Sequence, residues 1–64
     1  MQIGIKAARV AAGMTQEEAA KKLGVTTASL SHWERGRREP KTTTFLRMCE
    51  LYGVNPSDIL MPKK

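Results

Sequence analysis

Arg35, Arg37, Arg38 and Lys41 fall within seven residues, offset only by Glu39. Cations packed this densely attract anions, phosphate oxygens above all. Just ahead of them lie Thr27, Ala28, Ser31 and His32, with no acidic residue among them. At about 100° per residue these four share one side of a helix with Arg35, while Leu30 and Trp33 take the other. Thr26 and Glu34 flank the apolar side. Small polar side chains beside cations suit a surface that presses against a polyanion and touches base edges. The plain alternative is a solvated helix face followed by a charged loop, although such a face more often carries Glu and Lys.

These side chains need two helices to position them. Thr15-Gln16-Glu17-Glu18 is a capping box, in which the Thr15 hydroxyl takes the Glu18 N–H and the Glu18 carboxylate reaches back. It predicts a helix from Gln16 to Leu23, closed by Gly24 in a left-handed turn. A third helix is predicted from Thr26 or Thr27 to about Arg35, closed by Gly36. Ala20 must be small, because helices joined by so short a turn approach closely there. A helix, a glycine turn and a second helix with one polar face form the layout whose second helix lies in the major groove of DNA.

The rest of the chain builds the platform. An alanine-rich segment, about Gln2 to Ala12, carries Ile5, Ala8 and Ala12 on one helical face and ends at Gly13. Pro40 disfavours helix at Glu39, so residues 36–41 form a loop. A fourth helix, about Thr43 to Leu51, turns Phe45, Met48, Cys49 and Tyr52 inward. Asn55-Pro56-Ser57-Asp58 then reads as the start of a short fifth helix. Alternating β-branched runs are few, so no strand is expected. The predicted architecture is all-α, a compact five-helix bundle forming one domain over residues 1–64, with its helix-turn-helix at about 16–35. Its expected core is Ile5, Ala8, Ala20, Leu23, Val25, Leu30, Trp33, Phe45, Met48, Cys49, Tyr52, Val54, Ile59 and Leu60.

Composition narrows the function classes. Eleven basic residues against six acidic ones give a net charge of +5 in 64 residues, with a pI of about 9.9. The longest stretch without a formal charge, Leu23 to Trp33, is 11 residues, far short of the ~20 a membrane span needs. Lys6 and Arg9 break up the apolar N-terminus, which makes a poor signal peptide. A lone cysteine, Cys49, permits no internal disulfide and fits the reducing cytoplasm. His32 has no second ligand near it for a metal, and neither a carboxylate dyad nor a glycine-rich phosphate loop appears. No enzyme, cofactor, metal or small-molecule ligand is expected.

Thr15-Gln16-Glu17-Glu18, Ala20, Leu23-Gly24-Val25 and Trp33-Glu34-Arg35-Gly36, followed by Pro40, together make the chain similar to a known family. It resembles the Cro/repressor-type helix-turn-helix domains, also called the xenobiotic-response-element family of bacterial and phage regulators, over about residues 3–60. The resemblance implies a lambda-repressor-like five-helix domain that binds double-stranded operator DNA, usually as a two-fold homodimer. It implies that Gln16 bonds a phosphate, and that Thr26, Thr27, Ala28, Ser31 and His32 face phosphates and base edges. It further implies an ion pair between Arg9 and Glu34, which the helical wheel accommodates by setting each beside its helix's apolar stripe. Two departures stand out. Ala8 and Ala19 replace leucines common in the family, which predicts a thinner core. Thr27, Ala28 and His32 stand where glutamine or arginine would give clearer base contacts.

The expected function is therefore a sequence-specific regulator of transcription, a repressor on a two-fold operator. Arg35, Arg37, Arg38 and Lys41 would join Gln16 on the phosphates. The alternative is an antitoxin-like or protein-interaction module on the same fold. A complete Cro-like regulator and the N-terminal domain of a longer repressor fit this sequence equally. Residues around Tyr52 to Met61 are the expected dimer surface.

Overall fold

A computed structural model describes residues 3–60. In chain order they form β1 (Ile3–Gly4), α1 (Ile5–Ala11), α2 (Gln16–Leu23), α3 (Thr27–Glu34), α4 (Thr42–Tyr52), a 3₁₀ turn (Pro56–Asp58) and β2 (Ile59–Leu60). Sequence patterning predicts five helices; these residues form four α-helices.

The fifth stops after one tight turn. Pro56 sits at a helix start and Asp58 in the first turn, but the Asn55 side chain makes no capping hydrogen bond. Pro62 leaves room for fewer than two helical turns, and so short a helix is marginal by itself. Backbone pairing takes its place. Ile3 pairs with Ile59 and Gly4 with Leu60 in a two-residue parallel ladder. That ladder corrects the expectation of no strand, and β-branched isoleucine suits its extended backbone. Gly4 is itself extended (φ −76°, ψ 162°) and sets the start of α1 at Ile5. The helix predicted from Gln2 is shorter for that reason, Gln2 lying outside the described residues. Ala12, predicted on the inward stripe, instead caps the end of α1 and is exposed.

The helices close around a thin core. Leu30 and Met48 are its largest fully buried side chains, joined by Ile5, Ala8, Ala19, Ala20, Leu23, Cys49, Tyr52 and Ile59. Val25, Trp33, Phe45 and Val54 are only partly buried against it, as are Ile3, Met14 and Leu51. Ala19 has no exposed surface at all. It lies four residues before Leu23 and Ala20 three, so both face the core with it. The side chain of Leu60 lies outside the described part. Arg9, a charged residue at 7% exposure, is buried beside this cluster.

Candidate nucleic-acid interface

Local chemistry fixes the two helices at the front of the molecule. The Glu18 N–H donates to Thr15 Oγ1 at 3.1 Å, and the Thr15 N–H donates to Glu18 Oε1 at 3.1 Å. The bond from the Thr15 N–H, and the Thr15 side chain after it, hold the Glu18 carboxyl below its ordinary value. At the far end Gly24 (φ 73°) closes α2, with the Val25 N–H on the Ala20 carbonyl at 3.0 Å. Only a residue tolerant of positive φ makes this turn without strain. Thr26 then caps α3, its Oγ1 accepting the Ser29 N–H at 3.1 Å and donating to Ser29 Oγ at 3.0 Å.

Helix α3 buries Leu30 completely and sets Trp33 half-buried against the core. Thr27 and Ala28 are exposed, and Ser31 and His32 are half-exposed. Gly36 (φ 76°) ends the helix, and the Arg37 N–H returns to the His32 carbonyl at 2.9 Å. The cationic loop therefore leaves α3 in a fixed direction. Arg35, Arg37, Arg38 and Lys41 are all exposed, as is Glu39.

Behind the start of α2, polar side chains from three helices meet. Arg9 Nε donates to Glu34 Oε2 at 2.7 Å and Arg9 Nη2 to Glu34 Oε1 at 3.3 Å. These two side chains are 8% and 2% exposed. Arg9 Nη1 donates to the Met14 carbonyl at 2.8 Å, anchoring the loop between α1 and α2. Gln16 Nε2 donates to Glu34 Oε1 at 3.0 Å. An open groove in front is lined by Arg9, Thr15, Gln16, Glu17 and Thr27.

A family model described as helix-turn-helix matches residues 5–59. The chain belongs to the helix-turn-helix family. Among curated relatives, the HTH-type transcriptional regulator ImmR of Bacillus subtilis (strain 168) is 46% identical over 59 residues, covering 92% of this chain and 46% of the relative. The uncharacterized HTH-type transcriptional regulator y4dJ of Sinorhizobium fredii (strain NBRC 101917 / NGR234) is 36% identical over 50 residues, covering 78% of this chain and 65% of the relative. The chain thus spans about half the length of the first relative and just under two thirds of the second.

Within this helix-turn-helix, the predicted site residues fall into two groups. Thr26, Thr27, Ala28, Ser31, His32 and Arg35 lie on or beside the outer side of α3, and Arg37, Arg38 and Lys41 follow on the loop. Gln16 lies at the start of α2, lining a groove with Thr27, with one of its two N–H groups already committed to Glu34. Sequence reasoning missed that link. It also missed the Met14 carbonyl as an Arg9 partner. Neither contact leaves a local sequence signal, because each depends on how α1 and α3 pack. Among the described residues no group of three or more His, Cys, Asp or Glu side chains could hold a metal ion, and no helix is long and apolar enough to cross a membrane.

Tyr52 adds a polar atom to the same interior. Its hydroxyl is buried without a hydrogen-bond partner among the described residues. Burial first, and the Glu34 carboxylate second, push its pKa up to about 12, against a smaller opposing pull from Arg9. Burial likewise raises the Cys49 thiol. Both groups stay neutral at physiological pH, as packing residues do.

Proposed function

We propose that this chain binds double-stranded DNA sequence-specifically and regulates transcription, as a repressor on a two-fold operator. The observation that carries the reading is the outer side of α3. Thr27, Ala28, Ser31 and His32 leave it free of carboxylates, and four exposed cations adjoin it. Laid in the major groove, that side brings small polar groups to base edges while Arg35, Arg37, Arg38 and Lys41 meet phosphates. The α2 N-terminus offers Gln16 and free backbone N–H groups to a further phosphate. The similar proteins of Bacillus and Sinorhizobium carry the name of transcriptional regulators, which supports the same reading.

A homodimer would place two α3 helices about 34 Å apart, matching half-sites one helical turn apart. Selection of bound sequences from random duplexes tests the whole reading. Enrichment of one palindromic site is the expected result. Recovery of no preferred sequence at moderate salt would overturn it in favour of a protein-interaction module.

A further inference from the structure

The Glu34 side chain is nearly inaccessible, yet it touches a residue that reaches the surface. Its Oε2 accepts from Arg9 Nε at 2.7 Å, and its Oε1 accepts from both Arg9 Nη2 and Gln16 Nε2, the latter at 3.0 Å. Gln16 is half-buried and lines the groove at the α2 N-terminus. It is the point where a buried ionic cluster meets solvent.

A glutamine amide has a donor end with two N–H groups and an acceptor end with one carbonyl. Against a carboxylate only the donor end is tolerated, because the carbonyl would face negative charge. Glu34 therefore decides which end of Gln16 turns inward. One N–H is held, and the second, roughly 120° away by sp² geometry, has no partner among the described residues. Glu34 cannot shift in turn, since the Arg9 fork grips both of its oxygens and Arg9 is itself tied to the Met14 carbonyl. An unrestrained glutamine must give up rotamer freedom on meeting a ligand; here folding has already removed much of it.

We propose that Glu34 is a positioning residue for DNA binding, holding the Gln16 amide so that its second N–H meets a phosphate at the α2 N-terminus. The inference rests on the DNA-binding reading above and adds that Gln16 acts through Glu34. A merely structural Glu34 would stabilise the fold and leave the contribution of Gln16 to affinity unchanged.

A double-mutant cycle separates the two. Affinities of wild type, Gln16→Ala, Glu34→Gln and the double variant are measured on the selected duplex and on random DNA, with folding checked by thermal melting. Gln16→Ala is expected to weaken wild-type binding about three- to tenfold, the range of one ordinary net hydrogen bond. In the Glu34→Gln background it should cost less than about twofold. Equal losses in the two backgrounds, or no loss in wild type, would overturn the proposal. If Glu34→Gln fails to fold, NMR relaxation of the Gln16 side-chain amide in the wild-type chain decides instead. A rigid amide supports positioning, and one as mobile as an exposed glutamine refutes it. A wild-type chain that bound no duplex would sink the DNA reading itself, whereas binding with independent Gln16 and Glu34 effects sinks this inference alone.

Discussion

The Arg9 guanidinium and the Glu34 carboxylate meet at 2.7 Å with their side chains 8% and 2% exposed, joining α1 to α3 across the interior. Breaking such a pair leaves a charge stranded in low dielectric. Arg9→Ala should cost about 3–5 kcal/mol, which lowers Tm by more than about 10 °C in a domain of this size. Calorimetry or a circular-dichroism melt checks it. Replacing both partners at once with apolar residues, Arg9→Met with Glu34→Leu, should recover most of the loss. An unchanged Tm in Arg9→Ala would mean that the pair adds nothing to the fold.

Tyr52 carries a buried hydroxyl that bonds to nothing among the described residues. Tyr52→Phe should therefore be neutral or stabilising by up to about 1 kcal/mol, since no hydrogen bond is lost. The pH dependence has a definite sign. With the folded pKa raised to about 12 from an ordinary 10, the folded state holds the phenol proton more tightly. Stability is full below about pH 10 and falls as pH rises toward 12. Denaturant melts over that window should show a steeper alkaline loss for wild type than for Tyr52→Phe.

Thr15 and Glu18 cap α2 reciprocally. Thr15→Ala should cost about 0.5–2 kcal/mol. The Glu18 carboxyl titrates lower when folded than when unfolded, so its contribution is present above the unfolded value and disappears as pH falls through the folded one. Urea midpoints measured from neutral to acidic pH should decline less in Thr15→Ala than in wild type.

Ala20 is 3% exposed on the side of α2 that faces the core. Ala20→Leu should overpack that site and cost about 1–3 kcal/mol. A Tm equal to wild type would show unfilled space there.

On DNA, Arg37→Ala and Arg38→Ala should weaken selected and random duplexes by similar factors. In a homodimer each removes one contact per subunit and should flatten the log–log salt slope by about two. With four or five phosphates met per subunit, a dimer starts from a slope of roughly −7 to −9. Substituting Thr27 or His32 should instead change which base pairs are preferred. Titrations at several salt concentrations, paired with sequence selection for each variant, distinguish the two kinds of residue.

Local signals made the front of the molecule legible. The capping box at Thr15 and the glycine at 24 mark α2 and the turn, and Thr26 and Gly36 bracket α3, all within a few residues of the structure they specify. Asn55-Pro56 misled for the same reason. Its helix-start chemistry is local, while the competing pairing with Ile3 comes from the other end of the chain. Ala19 is absent from the expected core, although its spacing to Leu23 and its place at a position where the family often has leucine both put it there. The Arg9–Glu34 contact was implied by family resemblance, and the wheel could place each partner only beside an apolar stripe. The Gln16–Glu34 bond had no sequence signal, since it exists only once α2 and α3 pack.

The hydrogen bond from the Arg37 amide to the His32 carbonyl, closed through Gly36, has one further consequence. Helix α3 and the first arginines after it turn as a single stiff lever. If that helix is laid in a groove, rotating it by even a small angle would swing those guanidinium groups across the sugar–phosphate rail, so a change of docking angle would displace the α3 side chains and the arginines together.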